Sequence, residues 1–131
     1  MPNRFIIIDN DPVNNLLCTL TIKDVQNAAE IQTFNLPING FNYLAKEYAG
    51  TSSPSVLLLD INMAGWSGWD FLDNFEKLDD EIKKQVKIYI LSSSIDVNDK
   101  HRARENQNVV DYIEKPLSEK TVLSMLDQKW M

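Results

Sequence analysis

The pattern of apolar and polar residues predicts strands that alternate with helices. Two uninterrupted apolar runs, at 5–8 and 56–59, each end in an aspartate and are followed by turn residues. Such runs are typical of strands buried on both faces of a parallel sheet. Shorter segments with strand character lie at 29–34, 86–91 and 109–113. The sequence therefore predicts five strands, with the second run in the middle of the sheet.

Between these strands, apolar residues recur at helical spacing. Val13, Leu16, Leu17 and Leu20 form one apolar face of a first helix, which Asp11 caps and Pro12 begins. The later helices are predicted around Phe41, Leu44, Ala45 and Tyr48 (closed by Gly50), around Phe71, Leu72, Phe75 and Leu78, over the polar segment 96–107, and after Ser118, where Val122, Leu123, Met125, Leu126 and Trp130 face inward. Pro37 and Gly40 are interpreted as breaks before the second helix, and 79–84 as a charged turn. The alternation predicts an α/β fold, a five-stranded parallel sheet with helices on both faces.

Composition limits the kinds of partner. The 131 residues suffice for one domain, expected to span 1–131, and the formal net charge of -6 argues against direct nucleic-acid binding. Cys18 is the only cysteine, so a disulfide within the chain is excluded, and it is expected to be a small buried hydrophobe in a cytoplasmic protein. No apolar run is long enough to span a membrane, and no signal-peptide pattern precedes the first strand.

Polar side chains follow four of the five strands. They are Asp9, Asn10 and Asp11 after the first strand, Asp60 after the third, Ser92 after the fourth and Lys115 after the fifth. Because the carboxyl ends of parallel strands meet at one edge of a sheet, we expect these side chains to converge. Carboxylate and amide oxygens suit Mg²⁺, and a carboxylate beside Mg²⁺ and a lysine can be a nucleophile toward a phosphoryl group.

The motifs at these four strand ends resemble those of the receiver domains of two-component response regulators. The matching segments contain Asp9-Asn10-Asp11-Pro12, Asp60-Ile61-Asn62-Met63 with Gly68, Ser92-Ser93, and Tyr112-Ile113-Glu114-Lys115-Pro116. The resemblance implies a flavodoxin-like doubly wound sheet in the order 2-1-3-4-5. It implies that Asp60 is the phosphoacceptor, that Asp9, Asn10, Asp60 and Asn62 (through its backbone carbonyl) hold Mg²⁺, that Ser92 and Tyr112 form the switch, and that Lys115 contacts the phosphoryl group. The implied partners are a histidine kinase or phosphotransfer protein and a downstream protein.

Two positions depart from the receiver pattern. Asn10 stands where the family normally has a second acidic metal ligand, so one ligand contributes an oxygen but no charge. Ala64 stands where proline usually follows the methionine, which loosens that loop. The first departure weakens the expected metal site.

Three functions remain open on these residues. The first is a receiver without an output domain, not itself an enzyme, that is phosphorylated on Asp60 and then changes its partner. The second is a receiver-like interaction module that works without phosphorylation, because Asn10 weakens the metal site. The third is a phosphatase of the haloacid dehalogenase type, with Asp9 as nucleophile and Asp11 as acid and base, although this would leave Asp60 without a role. The sequence leaves open whether the protein forms a homodimer.

Overall fold

The computed structural model describes residues 2–47, 54–63 and 65–127. The strands in this part of the chain are β1 (Arg4–Ile8), β2 (Glu30–Phe34), β3 (Ser55–Leu59), β4 (Val86–Ser92) and β5 (Val109–Glu114). The helices are α1 (Pro12–Val25), α2 (Pro37–Asn42, continued by a π-helical turn over Tyr43–Glu47), α3 (Gly68–Phe75), α4 (Asp80–Lys83), α5 (Val97–Glu105) and α6 (Glu119–Leu126).

The strands form one parallel sheet in the order β2-β1-β3-β4-β5, as the resemblance implied. Every residue of β3 is buried, because the strand lies in the middle of the sheet with helices over both of its faces. Alternate side chains of the central strands enter two cores. One core lies against α1 and α6, and the other lies against α2 to α5. The predicted fold class is therefore confirmed.

The first helix forms where predicted, but its apolar stripe does not pack on the sheet. Val13, Leu16, Leu17 and Leu20 are between 52% and 63% exposed. The face of α1 that lies on the sheet instead carries the buried side chains of Asn14, Asn15, Cys18 and Ile22. Helical spacing identified a helix with an apolar stripe, but the rotation of that helix about its axis places the stripe in solvent.

Other local predictions were wrong in detail. Pro37 and Gly40 do not break the chain before α2, since Pro37 begins the helix and Gly40 lies in it against Ile8. The segment 79–84 contains the short helix α4 rather than a turn only. Leu123 of α6 is exposed, whereas Val122, Met125 and Leu126 are buried as predicted. Cys18 is buried, also as predicted.

Some predictions concern residues outside the described part of the chain. These are the end of the second helix at Tyr48 and Gly50, the loop position Ala64, and the inward-facing Trp130. They stay predictions from the sequence.

The two faces of α1 should differ in their effect on stability. We expect Ile22→Ala to lower the free energy of unfolding by about 2–5 kcal/mol, because it opens a cavity beneath the helix. Leu17→Gln on the exposed face should change it by less than about 0.5 kcal/mol. Urea unfolding of both variants measures these changes. A large loss in Leu17→Gln would mean that the stripe is buried in solution.

Candidate phosphoacceptor site

Strand register brings Asp9 and Asp60 side by side. Ile8 pairs with Leu59, so the next residue of each strand lies at the same carboxyl edge of the sheet. The backbone N–H of Asp60 donates to the carbonyl oxygen of Ile8 at 3.0 Å. Both aspartates are buried, with 2% and 5% of their surface exposed. Two adjacent buried carboxylates repel each other, so the site needs a cation.

Lys115 supplies that cation from the end of β5. Its backbone N–H donates to the carbonyl oxygen of Ser92 at 2.9 Å, which fixes the residue beside the end of β4. Its Nζ lies 2.8 Å from Asp9 Oδ2 and 4.0 Å from Asp60 Oδ2. Lys115 therefore pairs closely with Asp9 and more distantly with Asp60. The sequence predicted that the three groups converge, but not that Asp9 would be the nearer partner.

These contacts shift the proton affinities of the site. The pKa of Asp60 lies above its ordinary value, first because of burial and second because of the negative charge of Asp9, while Lys115 opposes both effects. Burial lowers the pKa of Lys115, but its hydrogen bond to Asp9 and the charges of Asp60, Asp9 and Asp11 raise it further than burial lowers it. The raised pKa means that Lys115 is held as an ammonium group between Asp9 and Asp60.

Both oxygens of the Asp9 carboxylate accept hydrogen bonds from the protein. Oδ1 accepts from the backbone N–H of Asp11 at 2.9 Å. Oδ2 accepts from the side-chain amide of Asn14 at 2.8 Å as well as pairing with Lys115. Asp11 is also the N-cap of α1, since its own carboxylate accepts from the N–H of Val13 at 3.0 Å. Asp9 is therefore fixed from three sides.

The loop after Asp60 is shaped by close backbone packing. The N–H of Asn62 donates to Asp60 Oδ1 at 3.3 Å, which turns the chain directly after the strand. Gly68 begins α3, and a Cβ at this position would lie 2.7 Å from the carbonyl oxygen of Asp60 and from Cα of Ile61. No side chain fits there without moving the backbone that carries Asp60. This gives a physical reason for glycine at position 68.

The two predicted switch residues, Ser92 and Tyr112, both form a hydrogen bond with Ser94. Ser92 is fully buried, and its hydroxyl oxygen accepts from the N–H of Ser94 at 3.1 Å. The Tyr112 hydroxyl donates to the carbonyl oxygen of Ser94 at 2.7 Å. The Ser94 hydroxyl in turn donates to Asp99 on α5 at 2.8 Å. Ser94 therefore joins Ser92, Tyr112 and α5 in one hydrogen-bonded network.

The residues at this edge fit a hard divalent cation. Asp9 and Asp60 offer carboxylate oxygens, exposed Asn10 offers a neutral amide oxygen, and Asn62 offers a backbone carbonyl. In the described part of the chain, no group of three or more His, Cys, Asp or Glu side chains is arranged to hold a metal ion. These donors are of the type that Mg²⁺ prefers. The set carries one negative charge fewer than it would with an acid in place of Asn10.

Sequence reasoning missed Asn14 and Ser94. Asn14 lies beside the four apolar residues that drew attention to α1, and amides on helices are ordinarily assigned to solvent. Its position five residues after Asp9, on the first turn of the helix, was the available signal. Ser94 follows two other serines at the end of β4, and its role depends on contacts from Asp99 and Tyr112 that only the fold brings near.

The sequence matches the family model of the response regulator receiver domain over residues 5–127. Because this match covers nearly the whole chain, the protein belongs to the receiver-domain family. No curated protein matches the sequence. No helix in the described ranges is both long enough and apolar enough to cross a membrane.

Solved structures show the same fold. A two-component response regulator from Cytophaga hutchinsonii is 31% identical, with a TM-score of 0.87, and the match covers 95% of this chain and 93% of that one. A response regulator receiver protein from Dyadobacter fermentans is 22% identical, with a TM-score of 0.84 and 94% of each chain covered. The chemotaxis protein CheY4 from Vibrio cholerae is 17% identical, with a TM-score of 0.74 over 96% of this chain and 97% of that one.

The raised pKa of Asp60 predicts a pH-dependent gain in stability for Asp60→Asn. The contribution of Asp60 to the stability of the wild type falls as pH rises from the ordinary value of 3.8 through the higher folded value, because the buried group must ionise beside Asp9. The asparagine variant escapes this loss. We expect it to melt at a higher temperature than the wild type at pH 7, and the difference to shrink as the pH is lowered toward 4.

Thermal unfolding in a chelator across this pH range is the measurement. The chelator keeps divalent cations from stabilising the wild type. An equal melting temperature at all pH values would show that Asp60 ionises in the fold without cost.

Proposed function

We propose that this protein is phosphorylated on Asp60 by a histidine kinase or a phosphotransfer protein. The observation that carries the proposal is the position of the Lys115 ammonium, 2.8 Å from Asp9 and 4.0 Å from Asp60. A cation there can leave one carboxylate and pair with the oxygens of a phosphoryl group on the other. The three groups come from three different strand ends, which the family relationship explains.

The chemical step is a transfer of a phosphoryl group to a carboxylate oxygen. Asp60 attacks phosphorus of a phosphohistidine, a P–O bond forms and the P–N bond breaks, and the histidine leaves with the bonding electrons. The acyl phosphate carries more negative charge than the carboxylate it replaces. Lys115 then offers its ammonium to the new oxygens, and Ser92 offers its hydroxyl. Receiver domains are generally not enzymes, and here the protein's own residues assist a reaction on itself.

Asp9, Asn10, Asp60 and the carbonyl of Asn62 are the residues that would hold Mg²⁺ in this proposal. The bound ion would supply positive charge to neutralise the phosphoryl oxygens during transfer. Asp9 is held ready by Asp11 and Asn14 without needing the ion. The function of Asn10 would be to provide an oxygen without adding repulsion to an already acidic edge.

The network around Ser94 is the proposed route from the site to a partner. If the Ser92 hydroxyl turns toward a phosphoryl group, it gives up the N–H of Ser94, and Ser94 also carries the bonds to Tyr112 and Asp99. Helix α5 has only one buried side chain, Ala103, so little apolar contact holds it in place. We infer that α5 and β5 are the elements whose positions respond to phosphorylation.

Two surfaces are suited to protein partners. The exposed leucines of α1 begin beside the Asp11 cap, next to the phosphoacceptor edge, where a phosphodonor must dock. A groove between α5 and β5, lined in part by Lys100, Arg104 and Glu114, lies beside Tyr112 and suits the downstream protein. The first surface would bind the phosphodonor, and the second would bind the downstream protein after phosphorylation.

The other two functions fare differently. The phosphatase hypothesis conflicts with membership of the receiver family and with the hydrogen bonds that tie both oxygens of its supposed nucleophile, Asp9, to the protein. The phosphorylation-independent module stays an alternative, since Asn10 removes a charge from the metal site. It predicts partner binding that is unchanged by phosphodonors.

Phosphorylation should depend on Asp60 alone. We expect Asp60→Asn to abolish acid-labile phosphate after incubation with acetyl phosphate and Mg²⁺, because Asp9, the other buried carboxylate beside Lys115, has both of its oxygens hydrogen-bonded to the protein. Asp24→Asn, which removes an exposed carboxylate on α1, is the control and should label like the wild type. Equal labelling of the Asp60 variant would reject the assignment. An unlabelled wild type with intact partner binding would favour the independent module.

Asn10→Asp should strengthen the metal site. A third carboxylate charge about 4 Å from a divalent ion adds roughly 8 kcal/mol of attraction at an effective dielectric near 20, and repulsion among three acids in the empty site offsets much of it. We expect Mg²⁺ binding to tighten by about tenfold and phosphorylation of Asp60 to become faster, while the metal-free variant melts at a lower temperature than the wild type. Calorimetric titration with MgCl₂ tests this, and equal or weaker affinity would show that Asn10 is no handicap.

A further inference from the structure

Helix α1 buries two amides where a core-facing helix usually has apolar residues. Asn14 and Asn15 are 9% and 5% exposed, while the leucines of the same helix lie in solvent. Burying an amide is costly unless its donors and acceptors are satisfied. Hydrogen bonds made by the two side chains, which apolar residues could not make, must therefore offset this cost.

The two amides bind different groups. Asn15 donates to the backbone carbonyl oxygen of Asp9 and to the side chain of Asn35, both at 3.0 Å, which ties α1 to the ends of β1 and β2. Asn14 instead donates to the carboxylate of Asp9, at 2.8 Å, on the same oxygen that pairs with Lys115. The Cys18 thiol lies against Asn14 one turn along the helix. Of the two amides, only that of Asn14 contacts the Asp9 carboxylate.

We propose that Asn14 is a positioning residue that orients the Asp9 carboxylate toward Mg²⁺, both while Lys115 pairs with Asp9 and after it turns to the phosphoryl group. This inference rests on the proposed function of the site. Lys115 lies 2.8 Å from Asp9 and 4.0 Å from Asp60, so a phosphoryl group on Asp60 would compete with Asp9 for the ammonium. The amide of Asn14 is neutral, so a divalent cation on the carboxylate does not repel it as it repels an ammonium.

The missing charge at position 10 makes this role more important. With Asn10 in place of an acid, the charge that attracts the ion comes from Asp9 and Asp60. Hydrogen-bond partners of metal-binding side chains typically change metal affinity about 10–100-fold when removed, because they fix the ligand's orientation. In a site with two carboxylates, loss of the Asn14 hydrogen bond leaves one of the two anionic ligands less firmly oriented.

The test compares Asn14→Leu with its neighbour Asn15→Leu. Both variants replace a buried amide by an apolar side chain of similar size on the same turn of α1. We expect Asn14→Leu to weaken Mg²⁺ binding to the unphosphorylated protein by about tenfold in calorimetric titration. Asn15→Leu should lower the melting temperature in chelator yet leave the Mg²⁺ affinity within about twofold of the wild type, because Asn15 donates only to the backbone carbonyl of Asp9 and to the side chain of Asn35.

Asn14→Gln returns an amide donor on a longer arm and should recover part of the affinity, and Asn14→Ala serves if the leucine variant does not fold. Unchanged or tighter Mg²⁺ binding in Asn14→Leu or Asn14→Ala would overturn the proposal, and so would a wild type that binds no Mg²⁺ at millimolar concentration. An equal loss in Asn15→Leu would show a general structural role instead. These titrations involve no phosphodonor, so a failure of Asp60 to accept phosphate would be seen separately.

Discussion

The ion pair between Lys115 and Asp9 is the interaction on which the rest of the site depends. Two carboxylates lie side by side and buried at the ends of β1 and β3, and such a pair is costly without a cation. The cation arrives from the end of β5, two strands away from β3 in the sheet, so only the assembled sheet brings it there. The pair therefore links the order of the strands to the chemistry at their ends.

This arrangement explains the unusual first helix. The end of β1 needs hydrogen-bond donors for a fixed, buried carboxylate, and α1 provides them by turning Asn14 and Asn15 toward the sheet. The apolar side chains of Val13, Leu16, Leu17 and Leu20 then face outward, where they form an exposed stripe beside the edge of the sheet that carries Asp9 and Asp60. The orientation of α1 about its axis thus completes the site and leaves an exposed apolar surface of the kind that protein partners bind.

The sequence predicted what depends on local pattern. Wholly apolar runs identified β1 and β3 because both faces of a central strand are buried, and polar residues directly after them identified Asp9 and Asp60. Prediction from the sequence failed where the role of a residue depends on a hydrogen bond to a residue in another part of the fold. The orientation of α1 could not be predicted from Val13, Leu16, Leu17 and Leu20, because hydrophobic spacing alone places leucines toward the core. In the fold, the hydrogen bonds from Asn14 and Asn15 to Asp9 set the orientation instead. Ser94 was missed for the same reason, since its partners lie on α5 and β5.

In the proposed mechanism, Lys115 changes partner when Asp60 is phosphorylated. A crystal structure with Mg²⁺ and beryllofluoride, which mimics a phosphoryl group on a carboxylate, tests this most directly. We predict that the adduct forms on Asp60, that Lys115 Nζ lies within hydrogen-bond distance of its fluorides, and that Asp9 contacts the ion while still accepting from Asn14. An adduct on another residue, or a Lys115 that stays 2.8 Å from Asp9 and makes no contact with the adduct, would contradict the account.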